Sequence, residues 1–295
     1  VVAYEALARW APPAASEAVA RGSYREAAQH WHDALRCTSG DGATRLGWLD
    51  AYANACRQLA RLDDALAARS ELDAAWQRLG DVKRQALNLS LTAQLLVLMT
   101  RNAAAHEASR RAIALLEPLG AGPELATAYG IEGALRMLDR EHEAAIDWCG
   151  RAVELARRCG DRERELASMS TGATARLFVD WDAGLAEGEA VLAIARAEAQ
   201  HGVTASMLMN LGSAAGELMR LAPARRWLSE GIAFSIEHEM DGNLHYASAW
   251  LAICDLRGGD WNAAAERAGD VVERTVAFSI SRVMALVALG SLRTL

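Results

Sequence analysis

The chain has 295 residues, a formal net charge of −7, and a composition in which 52% of the residues are hydrophobic and 23% are charged. It contains 63 alanines but only 22 valines and isoleucines together, which favours helices over β-sheets. The acidic balance argues against nonspecific binding to nucleic acid. The apolar runs are far shorter than the roughly 20 residues that a membrane-spanning helix needs. We therefore expect an all-α protein that contacts neither nucleic acid nor membrane.

A column of small residues recurs along the chain and divides it into repeating units. Successive members are separated by 38, 40, 40, 39, 40 and 40 residues. A repeat of this length predicts stacked helical hairpins, because one hairpin alone cannot bury its apolar face. The members of this anchor column are Ala27, Ala65, Ala105, Ala145, Gly184, Ala224 and Ala264. Three positions before them, at turn-like segments, stand Tyr24, Leu62, Asn102, His142, Trp181, Leu221 and Trp261.

A second small column keeps the same register twelve residues before the anchor. Its members are Ala15, Ala53, Ala93, Gly133, Gly172, Gly212 and Ala252. We expect these residues to let the second helix of each hairpin approach the first closely. The predicted hairpins span about 12–37, 43–80, 82–119, 123–160, 162–200, 203–240 and 243–276, and an unpaired first helix follows at about 279–295. We interpret residues 1–295 as one solenoid domain cut from a longer chain.

These spacings resemble the tetratricopeptide repeat (TPR). That family has a small residue at its eighth position, an aromatic at its seventeenth, alanine at its twentieth and a small or apolar residue at its twenty-seventh. In the sixth unit those positions fall on Gly212, Leu221, Ala224 and Gly231. The unit exceeds the roughly 34 residues of the standard repeat and lacks its closing proline, which indicates a divergent form. The resemblance implies a right-handed superhelical solenoid of about seven and a half TPR-like hairpins.

The start of the chain is similar to a junction in large bacterial LuxR-type regulators. In these proteins an ATP-binding module and a winged-helix region precede a TPR-like solenoid, and a helix-turn-helix follows it. Related ATPases fused to cyclase or kinase domains use similar junctions. The residues that carry the resemblance are Trp10, Ala11, Pro12, Pro13, Ala14 and Ala15. The resemblance implies that this chain is the sensor or interaction solenoid of such a regulator.

Nothing in the sequence predicts catalysis. The only lysine, Lys83, is followed by Arg84, so the Gly-x4-Gly-Lys-Ser/Thr loop that binds phosphates does not occur. A Gly-x-Ser-x-Gly nucleophile elbow is also absent. We expect no metal or cofactor in this segment, and ATP only in the module that the resemblance places outside it. The five cysteines, odd in number and irregular in spacing, favour a reducing environment and a cytoplasmic location.

In the TPR family the first helices line the concave groove, and partners usually bind there. Transferring the family's register predicts a groove that is polar towards the N-terminus and rich in methionine at its centre. Such methionines suit varied apolar ligands, although they would equally serve as core filler. The predicted groove residues are Asp50, Asn54, Arg57, Ser90, Gln94, Val97, Gly130, Ala134, Met137, Met169, Ala173, Arg176, Met209, Asn210 and Ser213.

Three functional hypotheses follow. The first is the sensor solenoid of a LuxR-type transcriptional regulator, which would bias attached modules when a ligand binds one arrangement better than another. The second is a stand-alone TPR scaffold or peptide-binding protein unrelated to transcription. The third, an enzyme, is the weakest because no candidate residue set exists. Candidate partners are a peptide, another protein, a small effector and, in a homo-oligomer, a second copy of the chain.

Overall fold

The computed structural model of the protein describes residues 2–275 and 279–294, with side chains from residue 7 onward. These residues form fifteen α-helices and one 3-10 turn, Glu117–Leu119, and contain no β-strand. None of the described helices is long and apolar enough to cross a membrane. In chain order they are α1 Val2–Ala20, α2 Tyr24–Arg36, α3 Ala43–Gln58, α4 Leu62–Leu79, α5 Val82–Leu98, α6 Asn102–Leu116, α7 Pro123–Leu138, α8 His142–Cys159, α9 Arg162–Val179, α10 Trp181–Ala197, α11 His201–Glu217, α12 Leu221–Glu237, α13 Asp241–Arg257, α14 Trp261–Arg274 and α15 Ile280–Leu292.

Consecutive helices pack together as hairpins, α1 with α2, α3 with α4, and so on to α13 with α14. From the third hairpin onward, each first helix also packs against the first helix of the next hairpin, so that successive hairpins are stacked. The predicted all-α solenoid is confirmed. The first helices of hairpins two to seven begin at residues 43, 82, 123, 162, 201 and 241, close to the predicted starts. The predicted ends at 276 and 295 lie outside the described residues.

The two small columns are buried between the helices of each hairpin. Every alanine in them is at most 1% exposed. At some positions even a methyl group has no room: a Cβ atom at Gly212 would lie 2.6 Å from Cγ of Leu228, and one at Gly133 would lie 2.6 Å from Sγ of Cys149. The predicted reason for these columns, close approach of the helices, is therefore confirmed.

The turns inside the hairpins follow one design with one exception. Each member of the bulky column is the first residue of a second helix. A three-residue turn precedes six of these helices, and the middle residue of each turn has left-handed φ. That residue is Gly22, Ala60, Thr100, Arg140, Met219 or Gly259. In the fifth hairpin Asp180 alone joins α9 to α10, and its carboxylate accepts a hydrogen bond from the Ala183 N–H at 3.1 Å.

The start of the chain differs from the sequence-based expectation. The first hairpin was expected to begin near residue 12, but α1 already begins at Val2 and contains Pro12 and Pro13. The fixed φ of proline, about −65°, is compatible with a helix, but an interior proline removes a helix hydrogen bond and crowds the carbonyl four residues earlier, so Pro12 and Pro13 weaken α1 locally although the helix continues through them. The hydroxyl of Ser16 donates a hydrogen bond to the Pro12 carbonyl at 3.1 Å within the same helix.

Candidate functional site: an internal cavity

The superhelix curves until α3 contacts α13. The guanidinium of Arg25, in the first hairpin, donates hydrogen bonds to both carboxylate oxygens of Asp241 at 2.7 and 2.9 Å. The backbone N–H of Arg25 donates to the carboxylate of Glu239 at 3.1 Å. Gly242 packs so closely on the end of α3 that a Cβ atom there would lie 3.4 Å from the Arg57 carbonyl oxygen. We call this set of contacts the closing contact, because it narrows the groove of the superhelix into a cavity that stays partly open to solvent.

The cavity has a volume of about 690 Å³. That volume lies within the range of about 300–1,000 Å³ that is typical of ligand pockets. One wall consists of the C-terminal ends of α3, α5 and α7, the turns that follow them and the first residues of α4 and α6, and the opposite wall consists of α11, α13 and the start of α15. Apolar lining comes mainly from Val97, Leu98, Leu135, Met209, Trp250, Ile253 and Met284. Polar and ionisable lining comes from Arg57, Gln94, Thr100, Asn102, His106, Asp139, Arg140, Ser206, Asn210, Asn243, His245, Tyr246, Ser279 and Ser281.

Several of the predicted groove residues line this cavity. Arg57 and Gln94 lie on the wall built by α3 and α5, together with Val97. Met209 and Asn210 lie on the opposite wall, on α11. The structure therefore brings together residues that are more than a hundred positions apart in the chain. Their contact with a ligand remains a prediction.

Asp50, Asn54 and Ser90 have structural partners instead. The buried guanidinium of Arg69, on α4, forms an ion pair with Asp50 and donates a hydrogen bond to Oδ1 of Asn54 at 2.6 Å. Arg69 also donates to Oδ1 of Asn88 at 3.2 Å, which links α4 to α5. Ser90 is fully buried, and its hydroxyl donates to a carbonyl of its own helix at 3.1 Å. Asp50 and Asn54 thus join α3 to α4, Ser90 bonds within α5, and none of the three lines the cavity.

The remaining predicted groove residues also lie away from the cavity lining. Met137 is half-buried, and Met169 packs against the apolar core formed by α9 to α13. Nε of Arg176 donates a hydrogen bond to the carboxylate of Glu187 at 3.0 Å. The hydroxyl of Ser213 donates to the carbonyl of its own helix at Asn210, at 3.3 Å. A ligand role for these residues stays a prediction.

Sequence reasoning missed a large part of the lining. His106 lies on a second helix, and its Nε2 is 3.1 Å from the carboxylate of Asp139 in the following hairpin. Asn243 and His245 lie in the first turns of α13, beside the closing contact. A rule that selects the middle of first helices cannot find these positions. They face the cavity because the superhelix brings α13 against α3, and a pattern within one repeat cannot predict that contact.

The ionisable groups of the cavity are mostly compensated. Arg140 pairs with Glu217, with 2.8 Å between Nη2 and the carboxylate. Asp139 is engaged by His106. Burial lowers the pKa of His245, so this imidazole is neutral at pH 7. Arg57 makes no ion pair within 4 Å among the described residues, although the more distant groups of Tyr24 and Glu163 favour its charged form. Burial and, secondly, the positive charge of Arg69 lower the pKa of Arg57.

No family model and no curated protein sequence matches the chain, whereas solved structures do. A Rap protein complexed with Competence and Sporulation Factor matches with a TM-score of 0.62 at 12% identity, over 91% of this chain and 81% of the Rap chain. The chain has a TPR-like solenoid fold. A STAND (signal transduction ATPase with numerous domains) protein with a tetratricopeptide repeat sensor, from Pyrococcus horikoshii, matches with a TM-score of 0.52 at 13% identity. That match covers 91% of this TPR-like chain and 41% of the STAND protein.

Proposed function

We propose that this TPR-like chain is a non-catalytic binding module that takes a short peptide into its internal cavity. The observation that carries the proposal is the closing contact, which encloses a cavity of ligand size. A half-open site of this volume admits an extended segment of chain or a small molecule but is too small to hold a folded protein. Of the two, we favour the peptide because of the side chains on the cavity walls.

Amide side chains stand on both walls. Gln94 faces the cavity from α5, and Asn210 and Asn243 face it from α11 and α13. Each amide offers two N–H donors and a carbonyl acceptor, which match the alternating C=O and N–H groups of a peptide backbone. The amide of Asn210 makes only a long contact, 3.5 Å to the hydroxyl of Ser170, so its donors remain available to a ligand. Apolar lining between the amides suits the side chains of a peptide.

Two proteins of the same fold support the proposal. One is described as a Rap protein in complex with a factor, and in the other the tetratricopeptide repeat is described as a sensor. Both descriptions belong to those proteins. They make ligand binding the function that we favour for the cavity of this chain.

Filling the cavity tests the proposal. Ser206 is an exposed side chain of α11 on the cavity lining, and Ser229 is an exposed serine of α12 outside it. A mixture of random hexapeptides is passed over the immobilised protein, and the retained peptides are identified by mass spectrometry. We expect Ser206→Trp to lose most of the peptides that the wild type retains, and Ser229→Trp to keep them. Equal retention by both variants, or none by the wild type, would refute peptide binding in the cavity.

We further propose that the module is the sensor of a LuxR-type regulator, as the residues around Pro12 and Pro13 imply. A peptide would then favour one curvature of the solenoid and so bias ATP-binding and helix-turn-helix modules elsewhere in the parent protein. The complete reading frame of the parent tests this: a phosphate-binding loop before the solenoid and a helix-turn-helix after it are expected. A parent without either would instead support a stand-alone TPR scaffold.

A further inference from the structure

One histidine lies inside the closing contact. His238 follows α12 directly and precedes Glu239, whose carboxylate accepts the hydrogen bond from the Arg25 N–H. The imidazole of His238 packs on Gly22, in the turn of the first hairpin. A Cβ atom on Gly22 would lie only 3.0 Å from Nδ1 of this imidazole. The superhelix therefore closes directly on the ring of a histidine.

The contact leaves no acceptor for a proton on Nδ1 of His238. That nitrogen is buried and has no hydrogen-bond partner among the described residues. A neutral imidazole tolerates this position, since its single proton can sit on Nε2 and Nδ1 then carries none. A protonated imidazole has an N–H at both nitrogens, and a buried N–H without an acceptor is costly. Protonation of His238 therefore favours separation from Gly22, which would let water reach Nδ1.

The carboxylates of the closing contact are already engaged. Arg25 pairs with Glu239 and with Asp241, at 3.5 and 2.7 Å between nitrogen and oxygen. Both therefore have a cation as partner before His238 gains its charge. The elements around His238 carry further ionisable groups. They are Arg21, Tyr24 and Glu26 in the first hairpin, His201 on α11, Glu237 in α12 and His245 in the first turns of α13.

The nearest ring is that of a second histidine. The centroids of His201 and His238 are 4.2 Å apart, so two positive charges on them would repel each other. Burial and, secondly, His201 lower the pKa of His238, and the exposed carboxylate of Glu237 opposes them more weakly. The surroundings of His238 therefore favour its neutral form as long as the contact is closed.

We infer that the closing contact is sensitive to pH: a proton on His238 separates the first hairpin from the turn before α13 and widens the cavity. The sign follows from linkage. The pKa of His238 lies below 6.5 in the closed form and returns towards 6.5 when the ring meets water, so the open form binds the proton more readily. Closure is favoured above about pH 6.5 and is weakened progressively below it. The inference goes beyond the proposed function and holds whatever the cavity binds.

The backbone amide of Arg25 reports directly on this contact. Arg25 lies in the first turn of α2, where an N–H has no partner within the helix, and this N–H donates instead to Glu239 across the closing contact. Its exchange with water is measured by NMR on the whole chain and is divided into the intrinsic exchange rate at each pH. The resulting protection factor falls when the contact opens.

We expect the protection factor of the Arg25 amide to fall between about pH 7.5 and 5.5. Histidine is the side chain whose ordinary pKa lies in this range, and one proton on an open-form site of ordinary pKa allows a fall of at most about tenfold. His238→Gln cannot take up this proton, so its protection factor should stay constant. Constant protection in the wild type, or an equal fall in His238→Gln, would overturn the inference.

His142 provides a matched control. Its Nδ1 is also buried without a partner among the described residues, and burial lowers its pKa as well. Its ring stacks on Phe178 with 4.6 Å between centroids, which places it between the fourth and fifth hairpins and outside the closing contact. His142→Gln should therefore show the same fall as the wild type. If His142→Gln abolished the fall, the Arg25 amide would be reporting a general loss of stability in acid, and the inference would be wrong.

Discussion

Replacing Gly184 by alanine sets the repeat pattern of the sequence against the packing of the structure. Gly184 is the only glycine in the anchor column, where the other six units have alanine. It lies inside α10, where alanine is favoured over glycine by about 1 kcal/mol. The sequence pattern alone therefore predicts that Gly184→Ala stabilises the protein.

The structure predicts the opposite. A Cβ atom at Gly184 would lie 2.4 Å from the backbone nitrogen of Leu177 and 2.8 Å from the carbonyl carbon of Arg176. The cause is the single-residue link at Asp180, which holds α10 against the end of α9 more closely than the three-residue turns of the other hairpins allow. No side-chain rotation relieves a clash with backbone, so the helices must separate locally by about 1 Å to reach ordinary contact.

The expected magnitude follows from these two opposed effects. Overpacking of this kind costs about 1–3 kcal/mol, and a backbone clash belongs at the upper end of that range. After subtraction of the gain in helix propensity, we expect a net loss of about 2 kcal/mol in the free energy of unfolding. Urea unfolding monitored by circular dichroism measures the loss as a lower transition midpoint.

A matched variant controls for helix propensity. Gly150 lies on an exposed position inside α8, and nothing approaches a Cβ atom there within 4 Å. Gly150→Ala should therefore gain about 0.5–1 kcal/mol. The reasoning would be refuted if Gly184→Ala were as stable as the wild type or more so, because the close approach of α9 and α10 would then be incorrect.

Three further predictions concern the turns, the closing contact and pH. Ala199, in the turn before α11, has a φ of 51°, which is in the left-handed region. Ala199→Gly should therefore raise the midpoint of urea unfolding by relieving about 1 kcal/mol of backbone strain. Ala67→Gly, at an exposed site inside α4, has no such strain to relieve and should lower the midpoint. Arg25→Ala and Asp241→Ala should each lower the free energy of unfolding by less than about 1 kcal/mol, since the ion pair is exposed. The double variant should lose no more than the single variants do, because each of them already breaks the pair. If urea unfolding shows that the two losses add, the closing contact does not form. Burial holds the pKa of His245 below 6.5, so the unfolded chain binds the proton more readily and the melting temperature should fall as the pH drops from about 7 to 5. In His245→Gln the melting temperature should fall less steeply over the same range. Equal slopes of melting temperature against pH in the two proteins would contradict this.

The sequence by itself determined the repeating architecture. The columns that contain Ala27 and Gly212 recur because each hairpin must bring two helices into close contact, and that requirement is local to the hairpin and its neighbours. For the same reason the first residue of every second helix could be placed from Tyr24 to Trp261. The number of hairpins, the starts of hairpins two to seven and the buried small residues follow from this short-range pattern, whereas the start of α1 does not.

Only the tertiary structure decided where the cavity lies and which residues face it. Asp50 and Asn54 stand at groove positions in the repeat, yet a buried arginine from the neighbouring helix binds them, and the sequence gives no sign of that partner. Asn243 and Arg57 line the same cavity only because small rotations between successive hairpins add up until α13 reaches α3. Such rotations depend on the packing of every hairpin in between, so a pattern read within one repeat cannot predict their sum.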